Sequence, residues 1–570
     1  MKTTKVVLSV FLVLLLALPL SAQTGWTTEF LLHYKPPSER EAKEAAPPEG
    51  ELIAQVFQTG TVPISMQDVV GMLLDHNLDV RSNRFSPRSS ALQTLVFYRA
   101  LQPSLRFTGN FSSDTSASTN QTNGATVLTR LNQQFGVNFS QQLAYGTSLT
   151  VDGTINRGSS NSFTSTYNPS YQTVVRYTVG QHLLRDRGKF VNTRQIIVGQ
   201  NNEKQSQIQF ETQITSLIVQ AQKSYWDLVF AAEDLKVKQR SLDVAQQTLT
   251  ENQQKVEIGT LAPIEVKQTQ SEVANRRQQL IQSTGSLVQN EDLIKKMISG
   301  ETDPSLFLIK LATQDAPRKP AGVVIPSLTE AVKVAMENRP ELRLAAIDLA
   351  NKDIDVEYTK NQKKPILDVT GQFTQNGTGG TRTIRNSQFG GTITDIIPGG
   401  IFNAFGQLFS YDYRGRSTGF TFTMPLNNKP AIADYEHAVN ERQLSQSRLD
   451  VQRQQIALEV RNALTQIEQA RATIETATIA SELARDQMEA EQTKFNLGTS
   501  TLRFVLEEQR NVAQAESSEL QSVVSFNKTL IDLDKAMGLT LTKNNVRIDK
   551  ALQAPTVALK SLGDRAKAGN

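Results

Sequence analysis

The side chains that could do chemistry in this chain are few and scattered. Its four histidines, His33, His76, His182 and His437, lie far apart in the sequence and form no pair at ligand spacing, and the chain has no cysteine. Metal sites are built from such ligands at short spacing. No Ser-His-Asp order, glycine-rich phosphate loop or pair of catalytic carboxylates stands out. The sequence therefore predicts no metal site, no cofactor and no enzyme.

The first 22 residues predict export from the cytoplasm. Lys2 and Lys5 form a basic start, residues 6–20 are apolar, and residues 20–22 (Leu-Ser-Ala) offer a small-residue cleavage site. This is the pattern of a secretory signal peptide. A retained membrane anchor is the alternative, although the apolar run is short for a membrane span. We therefore expect the signal to be cleaved.

The composition of the chain limits the classes of protein to which it can belong. A formal net charge of +4 is too small to indicate a nucleic-acid partner. After the signal no run of about 18 apolar residues appears, so any membrane span must be made of β-strands. Only 38% of the residues are hydrophobic, which suits an elongated or hollow molecule with much wetted surface.

The chain contains an internal repeat, and repeats define the architecture when they are present. The stretch from Ser65 to Gly300 recurs in kind and order from Ser327 to Gly538. The matched positions, at offsets of 262 and then 239, are Ser65/Ser327, Pro103/Pro365, Gly109/Gly371, Phe111/Phe373, Gly259/Gly498 and Thr260/Thr499. The predicted segments are a signal (1–22), a loosely ordered extension (23–64), a first repeat (65–303), a linker (304–326), a second repeat (327–540) and a tail (541–570).

Each repeat carries a long heptad stripe. The two stripes are Ala221, Leu228, Leu235, Leu242, Leu249, Val256 and Val460, Ile467, Ile474, Ser481, Met488, Phe495. A sustained seven-residue spacing indicates helices coiled around neighbours. Helices over about 189–256 and 429–495 would each be roughly 100 Å long. The opening helices (about 65–100 and 328–360) and the return helices (about 263–299 and 502–537) are half as long, so placed end to end they would complete a pair of rods.

Between the helices the sequence predicts strands with two different faces. Leu105, Phe107 and Phe111 alternate with polar residues, as do Leu367 and Val369 in the second repeat. Strict alternation gives one apolar and one polar face. In a closed membrane barrel these faces meet lipid and a wet lumen; a half-buried soluble sandwich is the alternative. An extra hairpin at about 133–157 leaves the number of strands per protomer open.

At this point the chain resembles the TolC-like outer-membrane efflux proteins (outer membrane factors) from about Ser65 to Leu541. The most specific elements are the segments 256–260 (Val-Glu-Ile-Gly-Thr) and 495–499 (Phe-Asn-Leu-Gly-Thr), with Ala-Pro-Ile-Glu-Val at 262–266 and Met-Gly-Leu at 537–539. Residues 183–185 (Leu-Leu-Arg) and 225–228 (Tyr-Trp-Asp-Leu) also look like the family. Their order, spacing and duplication carry the resemblance.

The resemblance implies an α+β membrane protein with an internal two-fold repeat. Its homotrimer would form an outer-membrane β-barrel continuous with a long periplasmic α-helical coiled-coil barrel. The implied function is a passive channel of a tripartite efflux or type I secretion system, located in the outer membrane and extending into the periplasm. Its partners would be a periplasmic adaptor (membrane fusion) protein, an inner-membrane transporter reached indirectly, and outer-membrane lipid.

The resemblance also assigns roles to residues near the two hairpin ends. It implies adaptor docking at Val256, Gly259, Thr260, Leu497, Gly498 and Thr499. It implies a periplasmic gate built from acids just after each end, and the candidates are Glu265, Arg503, Phe504 and Glu507. Glu265 matches the family's acidic position, whereas Phe504 departs from it, so a hydrophobic constriction is the alternative there. Ordinary helix reversal and solvated surface charge are the competing interpretations of these residues.

Two other classes of protein compete with a channel. A periplasmic adaptor has one helical hairpin set into small β domains, whereas this chain predicts two hairpins joined to barrel-like strands. A structural coiled-coil protein of the cell surface needs neither matched hairpin ends nor interposed strands.

Overall fold

A computed structural model describes residues 61–119, 123–299, 307–317, 320, 322–387 and 391–546. The predicted signal (1–22), most of the predicted extension and most of the predicted tail lie outside these residues.

The described residues alternate between helices and strands, and the two halves run through a similar order. The first half contains β1 (Thr61–Ile64), α1 (Met66–His76), α2 (Leu78–Asn83), α3 (Phe85–Phe97), β2 (Ser104–Ala117), β3 (Val127–Gln142), β4 (Thr147–Ser160), β5 (Tyr167–His182), α4 (Lys189–Glu257) and α5 (Pro263–Ile298). The second half contains β6 (Lys310–Thr313), α6 (Leu328–Asn338), α7 (Pro340–Gln362), β7 (Ile366–Arg385), β8 (Ile393–Ile397), α8 (Ile401–Ser410), β9 (Tyr413–Thr423), α9 (Lys429–Asn496), α10 (Leu502–Ala536) and α11 (Thr540–Lys543).

The two long rods lie where the heptads predict them. Helices α4 and α9 have 69 and 68 residues, so each is about 100 Å long at 1.5 Å per residue. None of the twelve residues in the two stripes is exposed, and Ser481, which breaks the apolar stripe, is fully buried. Antiparallel neighbours cover these faces, since α5 packs on α4 and α10 packs on α9. The two predicted long helical hairpins are therefore confirmed.

The opening helices are divided where the sequence predicted continuous ones. In the first half Asn77 stops α1 and caps α2, because its side chain accepts hydrogen bonds from the backbone of Asp79 (2.8 Å) and Val80 (3.0 Å). In the second half Arg339 is extended before Pro340, which disfavours a helical residue in front of it. The single helices predicted over 65–100 and 328–360 were therefore wrong in detail.

Two apolar cores hold the helices together. The first joins α1, α4, α5 and α10 around Phe210, Tyr225 and Ile294. The second joins α6, α9 and α10 around Ile467 and Phe526. Since α10 contributes to both cores, it ties the two halves to each other. Not one helix in the described ranges is apolar enough over a bilayer's thickness to cross a membrane.

A small clasp fixes the middle of α4. Strands β1 and β6 pair in parallel, and the Tyr225 hydroxyl beside them donates to Asp315 Oδ2 at 2.8 Å. The same carboxylate oxygen accepts from the backbone N–H of Met66 at 2.7 Å. Burial, together with the neighbouring carboxylate, raises the pKa of Tyr225 above its usual range. The clasp joins the start of the described chain and the segment between the halves to one buried tyrosine.

The remaining seven strands form one antiparallel sheet. Its order is β2-β3-β4-β5-β7-β8, and β9 pairs with β7 beside β8. The predicted extra hairpin is β3 and β4. In the described part of the single chain this sheet is open, with β2 at one edge and β8 and β9 at the other. One copy therefore does not form the predicted closed barrel, because both edges keep unpaired backbone groups.

The two faces of this sheet differ as the alternation predicts. Cross-strand partners share a face, and Phe107 pairs with Val137 while Val369 pairs with Phe420. On the opposite face Arg106 pairs with Asn138, and its neighbours are likewise polar. The sheet therefore carries an apolar face and a polar face, at the end of the molecule opposite the hairpin ends.

Candidate functional site: the two hairpin tips

The first tip (residues 255–263) reverses the chain between α4 and α5. Gly259 has φ +79°, its N–H donates to Val256 O at 3.0 Å, and Thr260 N–H donates to Lys255 O at 2.8 Å. These two bonds make a Schellman motif, which satisfies the last carbonyls of the helix and requires a left-handed residue. Pro263 then starts α5 with the φ that a first helical turn needs.

The second tip (residues 494–502) has the same backbone design. Gly498 has φ +74° and donates to Phe495 O at 3.0 Å, while Thr499 N–H donates to Lys494 O at 2.9 Å. The hydroxyls of Thr260 and Thr499 also match, since each donates to the lysine carbonyl at 3.0–3.1 Å. The Gly-Thr pair is thus explained at both tips by local hydrogen bonding.

Each tip exposes one large apolar side chain at its end. Ile258 is 73% exposed and Leu497 is 75% exposed, and the two residues match at the offset of 239. Val256, by contrast, is half-buried. The sequence reasoning named Leu497 but missed Ile258, although the same offset relates the two. Ile258 and Leu497 are therefore the matched apolar side chains that the two tips present to their surroundings.

The tips of the two hairpins touch each other. The Lys255 ammonium lies 4.9 Å from the centre of the Phe495 ring, within the range of a cation–π contact. Farther from the tips, Gln509 Nε2 donates to Thr248 Oγ1 at 3.3 Å. The structure therefore presents both ends side by side as one surface.

The gate candidates lie in the first turns of the return helices. Glu265 is in the first turn of α5, where the helix N-terminus favours a carboxylate. Arg503, Phe504 and Glu507 lie at the start of α10, and Phe504 is 52% exposed. Among the residues that the structure describes, Glu265, Arg503 and Glu507 form no ion pair. The single chain therefore shows no ion pair among the three charged gate candidates.

A buried ion pair near the first tip was missed by the sequence reasoning. Arg276 is only 3% exposed, and its Nη2 lies 2.7 Å from Glu272 Oε1 on the same helix. Arg510 of α10 approaches the same oxygen at 3.9 Å. Burial lowers the pKa of Arg276, and Glu272 opposes that shift. From sequence alone a Glu–Arg pair four residues apart looks like a solvated helix surface.

The two tips are braced by different chemistry. Behind the first tip, Asn252 Nδ2 donates to the buried Thr269 Oγ1 at 3.1 Å and so joins α4 to α5. At the matching place behind the second tip stands Glu491, which accepts from the Ser500 hydroxyl and from Lys494 Nζ at 3.0 Å. The Ser500 hydrogen bond, with Lys494 adding to it, holds the pKa of Glu491 below its usual value.

The chain matches a known protein family over most of its length. A family model described as "Outer membrane efflux protein" matches residues 142–300 and 331–539. No curated protein matches the sequence.

Several solved structures share the fold. The Campylobacter jejuni CmeC outer membrane channel is 15% identical, with a TM-score of 0.59 over 87% of this chain and 90% of that chain. The Vibrio cholerae outer membrane protein VceC is 11% identical, with a TM-score of 0.57 over 83% of this chain and 96% of that chain. At such identities the likeness concerns the fold.

Proposed function

Because the chain belongs to the outer membrane efflux protein family, we propose that it is the outer-membrane channel of a tripartite efflux or type I secretion system. Three copies would close the open sheet into a membrane barrel and continue as a periplasmic barrel of helices. The channel would passively conduct substrates from an inner-membrane pump and its adaptor to the exterior.

The observation that carries this proposal is that the two ends of the molecule are built differently. A sheet with one apolar face lies at one end, and two apolar-tipped hairpins lie at the other, separated by helices about 100 Å long. An open sheet needs partners for its edges. Strand β2 of a second copy could pair with β9 of the first, and no new secondary structure would have to form. The apolar face then meets lipid and the polar face lines the duct.

The tips are the proposed docking surface for the adaptor. Gly259 and Gly498 set the turns, and Thr260 and Thr499 close them, so these four residues would act by holding the shape. Ile258 and Leu497 would supply the apolar contact, with Val256 supporting the first tip from behind. This division of roles extends the docking residues implied by the family.

The first turns of α5 and α10 are the proposed periplasmic gate. Three copies of Glu265 would form an acidic ring that concentrates cations. Three copies of the exposed Phe504 would form an apolar constriction instead. Arg503 and Glu507 would flank that constriction with charges of opposite sign.

Ion conductance of the purified protein in a planar bilayer tests the function. We expect heat-modifiable trimers that conduct ions, lower cation selectivity in Glu265→Gln, and higher conductance in Phe504→Ala. Glu251→Gln, which removes an equal charge from an exposed part of α4, is the matched control and should leave selectivity unchanged. Protein that neither associates with membranes nor conducts ions would contradict the channel and favour an adaptor or a surface coiled coil.

A further inference from the structure

The short helix α8 is set into the sheet at the end far from the tips. It packs on β7 and β5, and two glycines of β7 make room for it. A Cβ atom at Gly377 would come within 1.9 Å of Ala404 O, and one at Gly379 within 2.3 Å of Gly400 O. Thr173 Oγ1 of β5 donates to Ala404 O at 3.3 Å. The backbone contact is therefore close and specific.

The register identifies the face on which α8 lies. Thr173 pairs with Gly377, so both point to the same side of the sheet. Steps of two residues along the strands lead from them to Val175 and Tyr177 on β5, and to Phe373 on β7. Helix α8 therefore covers the outer end of the apolar face, not the polar face.

The side of α8 that points away from the sheet carries two phenylalanines beside Asn403 and Ser410, whose side chains form local hydrogen bonds. Ala404 and Leu408 are buried against the strands, whereas Phe402 is 83% exposed and Phe409 is exposed as well. Ile393 and Ile397 of β8, which leads into α8, are exposed too. Large exposed apolar side chains gathered in one place are typical of a surface that a membrane or a partner covers. The uncovered side of α8 continues the apolar face of the strands, so one nonpolar phase would cover both.

Two arginines lie on the same face beside α8. Arg414 and Arg416 of β9 share their side with Phe420, and both are exposed. The Arg416 guanidinium lies 5.9 Å from the Phe373 ring centre, and in the described part of the chain neither arginine forms an ion pair. Residues two apart on a strand are about 7 Å apart. Two guanidinium groups at that spacing suit one phosphate between them.

We propose that α8, β8 and the two arginines of β9 form a binding surface for a phosphate-bearing lipid of the outer leaflet. Acyl chains cover Phe402 and Phe409, and the lipid phosphate lies between Arg414 and Arg416. This proposal rests on the proposed function, since that function makes the apolar face the lipid face. Arg414 and Arg416 lie near the start of β9, next to α8, and long basic side chains there are of a kind that extends to the headgroup level of a membrane.

Single cysteines test the position of α8, because the chain has no native cysteine. Phe402→Cys, Phe420→Cys and Tyr413→Cys are spin-labelled in the full-length protein and reconstituted into phosphatidylethanolamine–phosphatidylglycerol vesicles. We expect labels at 402 and 420 to be relaxed by oxygen and shielded from a water-soluble nickel complex. The label at 413, on the polar face of β9, should show the opposite pattern.

The three labels separate two kinds of failure. If 420 is reached by the nickel complex, the apolar face does not meet lipid and the proposed function itself fails. If 420 is in lipid but 402 is in water, only the proposal about α8 is overturned.

Lipid retention tests the arginines. Native mass spectrometry of the detergent-solubilised protein compares phosphatidylglycerol with diacylglycerol of the same acyl chains. We expect phosphatidylglycerol to be retained, and retained at least about tenfold less by Arg414→Gln/Arg416→Gln, which corresponds to about 1.4 kcal/mol. Arg106→Gln, on the polar face, is the control and should retain it as the unmodified protein does. Equal retention of both lipids would overturn the phosphate site. Displacement of the lipid by inorganic phosphate alone would overturn the assignment of this site to a lipid.

Discussion

The two hairpin tips share a backbone and differ in the side chains that support it. Both use a left-handed glycine, a threonine and a Schellman motif, and both expose one aliphatic side chain. Behind the first tip the support is a neutral buried hydrogen bond and a buried ion pair. Behind the second it is a half-buried carboxylate, Glu491, which accepts a hydrogen bond from Ser500. The two tips are therefore presented alike but braced by different side chains, so we expect them to differ in their resistance to opening.

The largest expected difference lies in the ion pair of the first hairpin. Glu272→Ala leaves the Arg276 guanidinium buried without its partner and should destabilise the hairpin by about 3–5 kcal/mol. The matching residue of the second hairpin, Asn511, is exposed, so Asn511→Ala should change stability little. Hydrogen exchange of the α5 and α10 amides checks both. Glu272→Leu/Arg276→Leu should recover much of the loss; no recovery would mean that packing rather than charge is responsible.

The exposed aliphatic residues should contribute equally to docking. Leu497→Asp and Ile258→Asp should each weaken adaptor cross-linking by roughly 10- to 100-fold, since burying such a side chain is worth about 1.5–3 kcal/mol. Leu497→Ile and Ile258→Leu are controls that keep the apolar contact. Folding should be unaffected because both residues are exposed. Loss at one tip alone would show that the adaptor contacts only that tip.

The turn glycines should be equally sensitive to a side chain. Gly259→Val and Gly498→Val force a β-branched residue to positive φ, at a cost of about 1–2 kcal/mol each, and should reduce adaptor cross-linking and export. Asn tolerates this conformation, so Gly259→Asn and Gly498→Asn are the matched controls. Normal export in both valine variants would remove the docking assignment.

The smallest difference is a pH effect confined to the second tip. The lowered pKa of Glu491 means that its stabilisation is complete above the ordinary glutamate pKa and is lost as pH falls through the folded pKa. Amide protection at 497–501, relative to 258–262, should therefore fall on acidification. Glu491→Gln should abolish that relative change. An equal loss at both tips would mean that Glu491 is not the cause.

The regular parts of the fold were accessible from the sequence. Heptads and the Gly-Thr pairs predicted α4, α5, α9 and α10 to within about a residue, because their packing follows a long period and their ends have local caps. Strict alternation likewise predicted the strands at 105–111 and 367–373. Both patterns depend on residues that are close along the chain, so they can be recognised in the sequence alone.

What the sequence did not predict depends on contacts between distant residues. Helix α8 is short and lies in a glycine-containing segment, and its place is set by Gly377, Gly379 and Thr173 of other elements. Burial of Arg276 depends on a neighbouring helix, and the exposure of Ile258 depends on where α5 leaves the turn. The gate residues remain a prediction, because the proposed ring would form only when three copies of the chain assemble.

Because the clasp at Tyr225 holds α4 near its middle, this helix can act as a lever. Tyr225 stands near the middle of α4, and the 32 residues from there to Glu257 form an arm of about 48 Å. A tilt of about 5° around a fulcrum at Tyr225 would move the tip by about 4 Å at that arm length. A small rotation at Tyr225 would therefore move the first tip by about the width of a side chain.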